Sequence, residues 1–197
     1  FEDVNILGVT VTEASVRYWY YTSRITALVG QADVIVEIGS GYGGLAERLA
    51  VSLHAKKYVL VDLPETLSIA ASYLRQRGLK VFEIISVLDL DQIKNQDGYF
   101  LCPPYLLPDL KDFDSDLFVN TMSFQHMTKA NLNYYFNSIK KFRSKHIYFV
   151  NRTIKRDESD VLPDDYPLPK GYSLELDDPW IHENFVERHY VRVKSPK

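Results

Sequence analysis

The sequence predicts an α/β domain: a Rossmann-like, mostly parallel sheet with helices on both faces and an antiparallel hairpin at its C-terminal edge. Three observations predict it. Short apolar runs alternate with segments of helical period between residues 33 and 153, the pattern of successive βα units. Those runs are apolar throughout, as strands buried on both faces are. Two later runs, 172–176 and 185–193, lie close enough in the chain to pair with each other.

The elements follow in order. Thr10 with Glu13 three residues on predicts a capping box, and residues 14–30 then read as an aromatic-rich helix ending at Gly30. "DVIVEIG" is the first buried strand. "GLAERLAVSL" sets Leu45, Leu49 and Leu53 on one helical face. "KYVLVDL" is the second strand. "TLSIAASYLRQRG" repeats Leu67, Ala70, Ala71 and Leu74 at helical spacing and stops at Gly78. "KVFEIISV" is the third strand and "DLFVNTMSF" the fourth. Thr128 then caps a helix whose apolar face is Leu132, Tyr135, Phe136 and Ile139. "KHIYFVNRT" is the fifth strand. Residues 155–171, rich in Asp, Pro and Lys, read as a long loop. The whole is one domain: a helical segment over 1–30, a ligand-binding core over 31–153, and a loop and hairpin over 154–197.

A chain of 197 residues with 46% hydrophobic residues can build one substantial core. A formal charge of −3 offers no electrostatic footprint for nucleic acid. No apolar run approaches the ~20 residues of a membrane span, and no signal peptide is evident. The lone Cys102 fits a reducing, cytoplasmic setting. Because the first residue is Phe1, an N-terminal extension or domain is expected.

Ligands of open parallel sheets bind beyond the carboxyl ends of the strands. That rule singles out the residues just after each strand: 39–44, 62–64, 87–89, 121–126 and 151–152, the first of them within "VIVEIGSGYGG" at residues 34–44. Its glycines let the chain turn sharply and let a ligand approach the backbone. The loop alone suits either a dinucleotide or adenosylmethionine. Asp62, ending the second strand, can accept hydrogen bonds from vicinal ribose hydroxyls, which both ligands carry. Glu37 separates them: a carboxylate just before the glycines repels a pyrophosphate and suits a cationic sulfonium ligand.

"VIVEIGSGYGGLAERL" and "YVLVDLPETL" resemble the first two motifs of class I S-adenosylmethionine-dependent methyltransferases. Together with "FVNTMSFQHM" they resemble the sugar O-methyltransferase family, over roughly residues 15–150. The resemblance implies transfer of a methyl group from S-adenosylmethionine to a sugar hydroxyl on a small-molecule or glycan acceptor. It implies that Glu37, Gly39, Ser40, Gly41, Tyr42 and Gly43 surround the methionine part, that Asp62 holds the ribose, and that Leu63 lies against the adenine. Val87, Leu88 and Asp89 would flank the adenine ring, and Asn120 and Thr121 the reacting end. The chain departs from the family at His126, where an acidic residue often stands.

A sugar hydroxyl has a high pKa, so a general base helps. His126 is the candidate, since imidazole titrates near neutrality, with Gln125 and Ser123 as groups that orient the sugar. Asn151 and Arg152 are candidates for acceptor hydroxyls or a phosphate. Arg17 or Arg24 can pair with the cofactor carboxylate, and Trp19, Tyr20 and Tyr21 can roof it, although packing on the sheet explains Trp19. Trp180 suits either a sugar ring or a loop anchor. Magnesium is compatible with such chemistry, but no spacing among Asp177, Asp178, His182 and Glu183 is diagnostic of a metal site. A methyltransferase for a non-sugar small molecule, a non-catalytic cofactor-binding domain of a larger assembly and an NAD-dependent oxidoreductase stand as alternatives. The oligomeric state is open.

Overall fold

The computed structural model describes residues 3–6, 9–111, 113–181 and 183–193. A short antiparallel pair, β1 (Asp3–Ile6) and β2 (Val9–Thr12), precedes α1 (Glu13–Val29). The N-cap of α1 is Thr12, whose Oγ1 accepts from the backbone N–H of Ser15 at 3.2 Å. Thr10, the cap expected from the sequence, lies two residues earlier in β2. A strand ending at Thr12 moves the helix start past it.

Strand and helix then alternate as β3 (Val34–Ile38), α2 (Gly44–Ser52), β4 (Lys57–Val61), α3 (Pro64–Gln76) and β5 (Val81–Glu83). They continue through α4 (Leu90–Asn95), β6 (Gly98–Cys102), β7 (Leu117–Thr121), α5 (Lys129–Phe142), β8 (His146–Arg152), β9 (Tyr172–Pro179) and β10 (Phe185–Arg192). The main sheet has eight strands in the order β5-β6-β4-β3-β7-β8-β10-β9. Its first six are parallel; β10 runs antiparallel to both β8 and β9. The predicted Rossmann-like sheet and its terminal hairpin are both present.

The third strand departs from expectation. It spans only Val81–Glu83, because the chain turns at Ile85 and Ser86, whose N–H groups both bond to the Asp89 carboxylate. The strand beside β4 is instead β6, which pairs with β4 on one side and β5 on the other. Its five residues, Gly98–Cys102, run straight from Asp97 to Pro103–Pro104, and turn-forming residue types at both ends mask so short a strand.

Side chains alternate across the pleat into two cores. Val36, Ile38, Val59, Val61, Phe118 and Phe149 pack with α4 and α5 on one face. Ile35, Tyr58, Leu60, Val119, Tyr148 and Val150 pack with α1, α2 and α3 on the other. Glu37 shares the parity of Ile35, so its carboxylate is delivered to the face beneath α1. Among the described residues, no helix is long and apolar enough to cross a membrane.

Candidate active site

The carboxyl ends of β3, β4 and β7 converge on two adjoining clefts. The larger, about 360 Å³, is lined by Gly39, Gly41, Asp62, Leu63, Ser123 and His126, with Met122, Met127, Asn131 and Tyr135 completing it. The smaller, about 120 Å³, lies between Arg17, Tyr18 and Tyr21 of α1 and Glu37, Gly39, Ser40, Gly41, Thr121 and Met122 of the sheet. A cavity of about 560 Å³ among Lys145, His146, Lys170 and Arg192 is larger still. It sits where β8 begins, at the pole of the sheet that parallel α/β folds do not use for ligands.

The glycine loop has a steric reason. Gly39 has φ +72°, and a Cβ there would fall 2.1 Å from Ser123 Oγ. The loop after β3 and the loop after β7 can touch only through a glycine. Gly41, at φ +56°, has open space where a Cβ would stand, so its backbone faces the cleft unshielded. The Gly41 N–H donates to Asp62 Oδ2 at 2.8 Å and the Leu63 N–H to Asp62 Oδ1 at 2.8 Å. The acid thereby ties the two strand ends together, and each oxygen keeps a lone pair for a ligand.

Glu37 is only 1% exposed yet lines the smaller cleft. Burial pushes its carboxyl up to about 8, Tyr58 Oη donates to Oε2 at 2.8 Å and pulls it down, and Asp62 pushes it further up. Burial thus favours the protonated acid. Beside it, Ser40 Oγ and Tyr21 Oη are buried and find no hydrogen-bond partner among the described residues. Buried hydroxyls are costly to leave unpaired. Arg17 supplies the positive charge of this cleft, its Nη1 lying 3.3 Å from Met122 Sδ. Met122 has φ +59° and its N–H bonds to Val150 O at 2.7 Å, so a strained residue marks the junction of the two clefts.

The region after β7 is built differently. Asn120 Nδ2 donates to Ile38 O at 2.9 Å and to Ser123 Oγ. Its Oδ1 accepts from Phe124 N–H at 3.3 Å and Asn151 Nδ2 at 2.9 Å. Gln125 accepts from the Arg152 N–H at 3.0 Å, and its side-chain nitrogen meets His126 Nε2 at 3.2 Å. The buried Arg152 reaches Asp160 at 2.8 Å. His126 itself is exposed at the rim of the larger cleft.

The structure brings together Glu37, Gly39, Ser40, Gly41, Asp62, Leu63, Thr121 and His126. Others lie apart. Tyr42 packs edge-on against Tyr18 and Tyr73 instead of lining a cleft, and Gly43 caps α2. Leu88 is 90% exposed, and Asp89 is occupied by the turn at Ser86. The insertion of β6 moves the end of β5 one strand spacing, ~4.8 Å, from β4. A third cleft of about 150 Å³ there is lined instead by residues including Pro64, Ile85, Pro103 and Tyr105. Asn120 and Asn151 lie beneath the site, spent on internal bonds; Arg152 is buried there with Gln125, bonded to Asp160 but with its Nη1 unpaired among the described residues. Arg24 and Tyr20 are engaged with Glu187; Arg17, paired with Glu13 at 3.8 Å, is the arginine that lines the smaller cleft. Trp19 is half exposed, and Trp180 stacks on Tyr21 at 5.6 Å as a buried anchor. No cluster of metal-ligating side chains occurs among the described residues, which exclude His182. Met122 lies in the stretch after the fourth strand that the sequence singles out, whereas Asn131 and Tyr135 were not readable as site residues; Tyr135 signalled only a helix face.

Neither a family model nor a curated protein sequence matches the chain. Solved structures do. The chain is similar to the PH0226 protein of Pyrococcus horikoshii OT3, with a TM-score of 0.66 at 12% identity, covering 92% of each chain. It is similar to the N-methyltransferase NodS of Bradyrhizobium japonicum WM9, with a TM-score of 0.60 at 15% identity, over 92% of this chain and 98% of that one. It is also similar to the mitomycin 7-O-methyltransferase MmcR, with a TM-score of 0.55 at 14% identity, over 91% of this chain and 54% of that one. The fold is one that methyltransferases share. At these identities the likeness is one of fold.

Proposed function

We propose that the chain is an S-adenosylmethionine-dependent O-methyltransferase whose acceptor is a neutral hydroxyl compound, with a sugar as the leading class. The smaller cleft carries this reading. An amino-acid zwitterion needs an anionic partner, a cationic partner and hydroxyl groups. Glu37, Arg17, Ser40 Oγ and Tyr21 Oη offer that set within one enclosure. A pyrophosphate brings no cation to exchange for the Glu37 proton. The residues present therefore fit adenosylmethionine, which when bound supplies an activated methyl group as a sulfonium.

The protein's own part is to bind, orient and exclude water. Glu37 and Arg17 hold the amino-acid end, and Asp62 holds the ribose with the lone pairs its loop contacts leave free. Gly39 and Gly41 let the ligand lie against the backbone. Met122 and Met127 supply an adaptable apolar wall. Asn131 and Ser123 supply the polar groups that orient a hydroxyl. Imidazole at His126 takes the hydroxyl proton. Apart from His126 and the ribose acid, no titratable side chain among the described residues other than the Tyr135 phenol lines the larger cleft, which supports an uncharged acceptor.

Calorimetry with adenosylmethionine, its demethylated product and NADH tests the cofactor. Binding of either of the first two at micromolar concentration, with none of NADH, is expected. The reverse pattern would overturn the reading. Methyl incorporation into a panel of nucleotide-linked sugars, against non-sugar alcohols, tests the acceptor class.

A further inference from the structure

His126 sits on a loop whose hydrogen bonds determine which of its nitrogens can accept a proton. The amide of Gln125 is buried, and its orientation is not free. Its Oε1 accepts from the backbone N–H of Arg152 at 3.0 Å. A backbone N–H can only donate, so the oxygen must face it and the NH₂ group must face the other way. That NH₂ group lies 3.2 Å from His126 Nε2. An amide nitrogen has no lone pair to give. The imidazole must therefore accept at Nε2 and carry its own proton on Nδ1.

We propose that Gln125 is a positioning residue that holds His126 in the Nδ1–H tautomer, reserving Nε2 as the nitrogen that accepts the proton. An imidazole in water ordinarily favours the opposite tautomer, so the arrangement is imposed. The device extends inward. Arg152, which supplies the fixed N–H, is clamped by its side chain to Asp160 at 2.8 Å and to Ile154 O at 2.9 Å. Asn151 Oδ1 accepts from the Gln125 N–H at 3.3 Å. The end of β8 and the loop that follows it thereby set the proton state of a ring on the loop after β7. Gln125 consequently serves the ring and not the sugar. This inference rests on His126 being the base, but the tautomer is measurable without any turnover.

The test is ¹⁵N NMR of the histidine-labelled protein at alkaline pH, where imidazole is neutral. The wild-type His126 ring is expected to show protonated Nδ1 and bare Nε2. Gln125→Glu replaces the donor with a carboxylate that can only accept, so the ring should flip to Nε2–H. Its turnover should fall between about 10²- and 10⁴-fold, since a wrong tautomer removes the base, with cofactor affinity unchanged. A wild-type ring carrying its proton on Nε2 overturns the proposal, and that measurement holds even if the variant does not fold. A Gln125→Glu variant that folds and keeps the wild-type ring state overturns it as well. Should the tautomer be as stated while His126→Ala retains full turnover, the base assignment fails and the positioning by Gln125 stands.

Discussion

The loops after β3 and β7 touch at Gly39 and Ser123, yet they treat their polar groups in opposite ways. Around the glycine loop, hydroxyls are left open: Ser40 Oγ and Tyr21 Oη are buried without partners among the described residues, and Glu37 has one donor, Tyr58. Around Asn120 the polar atoms are saturated, with both ends of that side chain bonded twice. An unsatisfied buried group costs stability, and a satisfied network adds rigidity. Under the proposed function, the first region receives a ligand. The second is arranged to hold a loop still. Substitutions in the two regions should therefore separate binding from stability.

The largest expected effect is at the rim that the rigid region carries. His126→Ala should lower turnover by about 10²–10⁴-fold while leaving cofactor affinity intact; steady-state kinetics beside calorimetry checks this. Asn120→Ala comes next. It leaves the Ile38 carbonyl, the Phe124 N–H and the Asn151 amide short of partners, so stability should fall by about 2–3 kcal/mol in urea unfolding. A loss below 0.5 kcal/mol, on the order of surface substitutions, would mean that water replaces these bonds and the contrast between regions is weaker than drawn. Asp62→Ala should weaken cofactor binding by about 1–3 kcal/mol and loosen the turn at Gly41. Ser40→Ala should do the converse of Asn120→Ala: removing a hydroxyl with no partner leaves stability level within about 0.5 kcal/mol, while cofactor affinity drops measurably. Equal stability losses from Ser40→Ala and Asn120→Ala would break the comparison.

The parts legible in sequence were those whose physics is local. Strands β3, β4, β7 and β8 are apolar runs with turn residues at their ends, and the glycine spacing of 39–43 has a backbone reason that one chain can display. Asp62 and Glu37 were readable because position at a strand end sets what a carboxylate faces. β6 was missed because "GYFLC" is too short to announce itself between Gly98 and Pro103. That omission displaced the expected adenine flank: Leu88 and Asp89 follow β5, which the inserted strand pushes outward. Asn120, Asn151 and Arg152 stand at strand ends as ligand groups would, and only side-chain direction shows that the two asparagines bond to each other and Arg152 to Asp160. The choice of Arg17 over Arg24 was equally unreadable: Arg17 pairs within its own helix with Glu13, and only the position of Glu187 on β10 shows that Arg24 is drawn away to the sheet edge.

The central claim is that the buried acid at the end of β3 receives a cation. Its carboxyl lies at about 8, above its ordinary 4.5, so folding favours the protonated form. Stability from that proton is full below about 4.5 and is lost as pH rises through about 8. A bound ammonium or sulfonium reverses the preference and expels the proton. Calorimetric titration of adenosylmethionine near pH 7, repeated in buffers of different ionisation enthalpy, measures that proton directly. The account predicts binding with release of close to one proton from the wild-type protein and none from Glu37→Gln. Binding with no proton released from the wild type would contradict it.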